Sequence, residues 1–206
     1  MINDLTVVRP AKSPYWDGRS FFYDFQDTPT GNVPLHWTPT ASGVWAVEAH
    51  NLLGATIGGG VQTDNVILLW PFGSLEDCWI EVAYICNDST AGIGPMVRAS
   101  GSLSGGEASI DGYELDLHLG NLGLQKFSSG SSAIIASDAS DWMTGLSDGV
   151  PYRVGLAIRG SKIAGYWNGR LIGTYSDTTY TSGALALKTY DTTTATVWKW
   201  VRGGRL

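Results

Sequence analysis

The chain has 206 residues, enough for one domain with a sizeable core, and its 43% hydrophobic content argues against a disordered polymer. A formal net charge of −6 and scattered basic residues exclude nucleic acid or an anionic membrane surface as the main partner. No apolar run approaches the ~20 residues that cross a bilayer as a helix, so membrane insertion is not expected.

Residues 1–19 contain Pro10 and Pro14 and hold no sustained period, so they read as an extended arm. The arm either packs on its own domain or reaches a second subunit, which makes a homo-oligomer joined through it the expected assembly. The opening "MINDLTVVRP" lacks the basic and apolar regions of a secretion leader. Residues 20–206 read as a single domain made of strand after strand. "FFYDFQ" alternates, and "VWAVEA", "VILLW" and "CWIEVAYIC" are rich in β-branched and aromatic residues. "GPMVRAS", "IDGYELDLHL", "LGLQKF" and "AIIAS" follow, separated by clusters of Gly, Asn, Asp, Ser and Thr. Residues 137–149 are mostly loop, with room for one short helical turn.

The clearest local signal lies at 150–176, "VPYRVGLAIRGSKIAGYWNGRLIGTYS". Gly160-Ser161 suits a type II′ turn and Asn168-Gly169 a type I′ turn, so three strands in a meander are predicted. Tyr152, Val154, Leu156 and Ile158 then share the core face. "ALALKTY" and "TATVWKWV" supply the last two strands, with Trp198 and Trp200 expected on one face and in the core. Twelve to fourteen strands without a helix predict an all-β fold of two packed antiparallel sheets, a jelly-roll sandwich.

Cys78 and Cys86 stand at the two ends of one predicted strand. At ~3.3 Å per residue their α-carbons are roughly 26 Å apart, far beyond the reach of a disulfide. Two unpaired thiols point to synthesis in a reducing compartment.

The order of features from Phe21 to Arg202 resembles the concanavalin A-like lectin/glucanase superfamily, and within it laminin-G-like domains. The carriers are "FFYDFQ…W…VWAVEA" at the start, "GPMVRAS…DGYELDLH" in the middle and "PYRVGLAIRGSKIAGYWNGRLIGTYSD…SGALAL" at the end. The resemblance implies a concanavalin A-like sandwich, and its members include lectins, glycosidases, adhesion modules and virion proteins, so it speaks to fold more than to activity.

"GYELDLHLGN", residues 112–121, is the candidate site. In a strand, Tyr113, Leu115, Leu117 and Leu119 take one side and Glu114, Asp116 and His118 the other. The resemblance to family-16 glycosidases implies a Glu-x-Asp-x-Glu strand with a nucleophile, a tuning aspartate and an acid/base. Glu114 and Asp116 match the first two positions, and His118 departs from the third. A retaining mechanism needs two carboxyl groups about 5–5.5 Å apart, which His118 does not supply, so enzymatic activity is not expected. If Ser100 pairs with Gly112, Arg98 lies opposite Glu114, and Arg98, Glu114, Asp116 and His118 form either ordinary sheet surface or a polar ligand-binding face. Trp37 and Trp142 sit in loop-like sequence and join the candidate ligand-binding residues as aromatic platforms; the bland alternative is that each plugs an end of the sandwich.

No zinc spacing or calcium loop is present, so no metal ligand and no cofactor are assigned. The resemblance implies one exception, a structural calcium near Asp24 or Asp27. The combined reading is a non-enzymatic structural or adhesion protein of a virus particle, from a bacteriophage. It would be made in the host cytoplasm and contact other virion proteins and surface glycans. The second reading is a bacterial carbohydrate-binding module, secreted or at the cell surface, and the third a family-16-like glycosidase.

Overall fold

The structure is a computed structural model that describes residues 15–16, 19–34, 37–39, 45–48, 51–54, 64–69, 73–85, 92–102, 109–118, 121–135, 149–190 and 196–206. Among these residues there are sixteen strands and no helix. They are β1 (Tyr15–Trp16), β2 (Ser20–Tyr23), β3 (Trp37–Pro39), β4 (Trp45–Glu48), β5 (Asn51–Gly54), β6 (Asp64–Leu69), β7 (Cys78–Ile85) and β8 (Gly92–Ser102). After them come β9 (Ser109–His118), β10 (Asn121–Ser128), β11 (Ser131–Ile134), β12 (Pro151–Arg159), β13 (Lys162–Trp167), β14 (Arg170–Ser176), β15 (Ala184–Tyr190) and β16 (Thr196–Arg205). The count exceeds the expected twelve to fourteen because short pieces such as β1, β3 and β5 pair without a long run of β-formers to announce them.

The strands make two antiparallel sheets. One has nine strands, in the order β1-β2-β16-β7-β12-β13-β14, with β5 also pairing β16 and β4. The other has seven, in the order β11-β10-β9-β8-β15-β6-β3. This is the all-β jelly-roll sandwich read from the sequence. The core between the sheets holds Ile80, Val82 and Tyr84 of β7, Val154, Leu156 and Ile158 of β12, and Tyr113, Leu115 and Leu117 of β9. Each trio is an every-second-residue set, as a half-buried strand requires.

The predicted meander is present as β12, β13 and β14. Gly160 has φ of 54°, and Asn168 and Gly169 have 48° and 82°, the positive values that primed turns demand. Tyr152, Val154, Leu156 and Ile158 are buried together.

Two bulges change which side chains share a face. In β8, Val97 pairs with Tyr113 and Ser100 with Asp111, so Arg98 and Ala99 oppose Gly112 alone. The expected Ser100–Gly112 register is therefore off by one. Arg98 takes a left-handed φ of 52° and turns away from the β9 carboxylates. In β16 the register shifts between Trp198 and Trp200. Trp198 enters the core beside Tyr84, with ring centroids 5.1 Å apart, while Trp200 moves to the outer face. The expected core pair of tryptophans is thus split by one extra residue.

Trp37 is also corrected. It lies in β3 rather than a loop, and its ring is buried against Tyr23 and Phe25, with centroids 5.3 and 5.7 Å away. Cys78 opens β7 and is buried; its thiol is pushed up to about 12, by burial first, despite Arg98 nearby. Cys86, Trp142 and residues 137–148 lie outside the described residues.

Candidate functional site

Strand β9 presents Glu114 and Asp116 on the outer face of the seven-stranded sheet, the side opposite its core set. Its neighbours set the surroundings: Gln125 of β10 is across from Glu114, Gly123 from Asp116, and Met96 of β8 from Glu114. Beyond β8, β15 places Ala186 against Met96 and Lys188 against Gly94.

These outer side chains are closed in. Glu114 is fully buried and Asp116 is 3% exposed, as is Lys188. The Lys188 ammonium lies 3.1 Å from Glu114 Oε2 and 4.7 Å from the centre of the Phe127 ring. Gln125 Nε2 donates to Asp116 Oδ2 at 2.5 Å. Lys188 reaches Glu114 across β8, where Gly94 leaves the path free. A Cβ at Gly94 would stand 2.1 Å from the Leu115 carbonyl oxygen and 3.1 Å from Glu114 Cγ. Met96, Ala99, Ile110, Phe127 and Ala186 form a small apolar cluster around the group. A buried ion pair of this kind is costly to desolvate and costlier to break.

Arg98 belongs to a different assembly. Its Nε donates to the Glu76 carbonyl at 2.8 Å and its Nη1 to the Tyr180 carbonyl at 2.6 Å, with Nη2 3.7 Å from Asp77 Oδ1. It clasps the start of β7 to the 177–183 connection. Gly183 packs on the Arg98 backbone, where any side chain would meet the Arg98 carbonyl carbon at 2.3 Å. The expected Arg98–Glu114 pair is thus replaced by Lys188–Glu114. The side chain of His118 lies outside the described ones, although its backbone pairs with Asn121 in the β9–β10 ladder. Of the six candidates, the structure brings together Glu114 and Asp116, and places Arg98 and Trp37 elsewhere.

Lys188 and Gln125 escaped the sequence reading. Lys188 interrupts the apolar run of "ALALKTY", which is a signal of something polar inside. Its partner was hidden because β8 and β15 are adjacent only in the folded sheet order.

A second polar group joins β9 to the 177–180 segment from the core side. Tyr113 Oη donates to Asp177 Oδ1 at 2.6 Å, and Lys126 Nζ donates to Oδ2 at 3.0 Å. The Thr179 amide donates to Asp177 Oδ1 at 2.7 Å and the Tyr180 amide to Tyr113 Oη at 3.1 Å. Burial by itself would raise the Asp177 carboxyl, but the bonds from Tyr113, Thr179 and Lys126 outweigh it and hold it well below the usual range. Burial, then the bond to Asp177, pushes the Tyr113 phenol up to about 12.

Among the described residues, no group of three His, Cys, Asp or Glu side chains is placed to hold a metal ion. Asp24 Oδ1 accepts from the Gln26 amide at 3.2 Å within its own turn.

Neither a protein-family model nor a curated protein sequence matches the chain. Solved structures do. The fold is similar to the carbohydrate-binding module CBM66 from Bacillus subtilis, with a TM-score of 0.62 at 21% identity, covering 79% of this chain and 91% of that one. It is similar to the carbohydrate recognition domain of Emp47p, with a TM-score of 0.61 at 14% identity over 92% and 96% of the two chains. A Bacillus licheniformis beta-glucanase gives a TM-score of 0.58 at 12% identity over 93% and 100%. The chain has the concanavalin A-like jelly-roll fold. That fold is common to modules that bind carbohydrate and to enzymes that cut it, so the residues of β9 must separate the two.

Proposed function

We propose that the chain is a lectin-like, glycan-binding module that does not hydrolyse its ligand. The observation that carries the second half is the state of β9. Glu114, matching the nucleophile position of family-16 glycosidases, is fully buried and held by Lys188 at 3.1 Å. Asp116 is engaged by Gln125, and position 118 is a histidine where that family has its acid/base carboxylate. A sugar oxocarbenium centre would meet a Glu114 that is buried and ion-paired rather than an accessible nucleophile, and a histidine where the retaining pair has its second carboxylate. The glycan-binding half draws its support from the similarity to CBM66 and the Emp47p domain.

Of the two settings expected from the sequence, a bacterial carbohydrate-binding protein has the CBM66 similarity behind it. The virus-particle setting rests on the unpaired thiols and the proline-containing arm. The test is a glycan array read beside a reducing-end assay on β-glucans. Binding without release of reducing ends is the expected result. Release that disappears in Glu114→Gln would show the protein to be a glycosidase after all.

A further inference from the structure

The outer face of the nine-stranded sheet carries an aromatic and cationic group that the β9 reading does not touch. Trp200 of β16 pairs with Ala83 of β7, and Ala83 pairs with Arg153 of β12, so the three stand in one row across three strands. At the usual strand spacing, the backbones of Trp200 and Arg153 are about 10 Å apart, with only a methyl group between them. The row is open: Trp200 and Ala83 are half-buried, and the Arg153 side chain is 41% exposed. The next row, Val197–Ile85–Pro151, is also partly open, whereas the row on the other side, Arg202–Glu81, is buried. The result is a shallow trough with an apolar floor and two unlike walls.

Both walls are held in place. The Trp200 ring lies 6.2 Å from the Phe22 ring and 5.5 Å from the Arg202 guanidinium carbon. Arg153 donates through Nε at 2.9 Å and Nη2 at 2.7 Å to one oxygen of Glu81, and Arg202 takes the other oxygen. Two guanidiniums therefore share one carboxylate, and one positive charge is left over. A guanidinium has five N–H donors in a rigid fork. Two of those on Arg153 are used by Glu81, which leaves three, on a side chain that is 41% exposed. Gly169 of the adjoining turn lies beside the fork, where a Cβ would stand in ordinary contact, 3.5 Å from Nη2. Arg202 also pairs with Glu81 in the buried row, so the carboxylate keeps a partner without the second guanidinium.

We propose that the trough between Trp200 and Arg153 is a subsite for a carboxylate-bearing sugar ring, such as a uronate or sialate. The apolar face of the ring lies on Trp200 and Ala83, and its carboxylate takes the free end of the Arg153 fork. The proposal rests on the glycan-binding reading and adds the ligand class and the place.

The test titrates the intact protein with oligogalacturonate, hyaluronan oligosaccharide and sialyllactose, and with cello-oligosaccharide and lactose as neutral counterparts. At least one acidic member should bind tenfold or more tighter than the neutral ones, and weaken as salt is raised. Arg153→Met should remove that preference, and Ala83→Phe, which fills the trough without deleting a contact, should abolish binding. Thermal unfolding followed by circular dichroism confirms that each variant is folded. Binding confined to neutral glycans, or acidic binding unchanged in Arg153→Met and Ala83→Phe, overturns the subsite and leaves the glycan-binding reading standing. Failure of every glycan, acidic or neutral, overturns both.

Discussion

The two outer faces of the sandwich use the same elements in opposite ways. On the seven-stranded sheet, one cation closes over a buried carboxylate: Lys188 is laid across Phe127 and ends at Glu114. On the nine-stranded sheet, a buried carboxylate is shared by two cations, and the outer one, Arg153, points on into solvent. In the first case the charge is spent inside the fold. In the second Glu81, paired with Arg202 as well, holds a guanidinium whose side chain stays 41% exposed. With the proposed subsite, the difference separates an ion pair that serves stability from one that positions a binding group.

Removing the cation from each face should expose that contrast. Lys188→Met leaves Glu114 buried without its ion-pair partner, and an uncompensated buried charge costs about 3–5 kcal/mol. Urea unfolding should show a loss of that size, and the double variant Lys188→Met/Glu114→Gln should recover most of it. A Lys188→Met protein as stable as the parent would break the comparison. Arg98→Ala comes next. It removes two charged-donor bonds to carbonyls of separate segments, for an expected loss of about 2–4 kcal/mol by the same measurement. Arg153→Met should cost less than about 1 kcal/mol, because the residue is 41% exposed and Arg202 remains on Glu81. A loss as large as that of Lys188→Met would mean that Arg153 is structural.

Acid should act through Asp177. Its native carboxyl lies below the ordinary value of about 3.9. The group therefore contributes stability that is complete above about pH 4 and is lost as pH falls from there towards its depressed native value. Asp177→Asn should be less stable than the parent at pH 7 and closer to it at pH 3. Parallel stability curves from pH 7 to pH 3 would show that the carboxylate plays no such part.

The parts legible in the sequence are those set by neighbours along the chain. The meander is written in Gly160-Ser161 and Asn168-Gly169, and the core face of β9 in the alternation of Tyr113, Leu115 and Leu117. What the sequence hid depends on strands far apart in the chain. One extra residue in β8 turns Arg98 away from Glu114, and one in β16 moves Trp200 out of the core. A bulge carries no marker when its residues are an arginine in a left-handed conformation or a lysine between tryptophans. The Lys188–Glu114 pair and the Trp200–Ala83–Arg153 row exist only once β15 lies by β8, and β7 between β16 and β12.

Lys188 also sets how far this chain stands from its hydrolytic fold relatives. Placing a glutamate at position 118 would complete the acidic run in the sequence, yet Glu114 would stay capped by a lysine whose side chain is itself 4% exposed. On the proposed non-hydrolytic reading, acquiring glycosidase chemistry takes at least two coordinated changes, one on β9 and one on β15. The second, made alone, strands a buried charge.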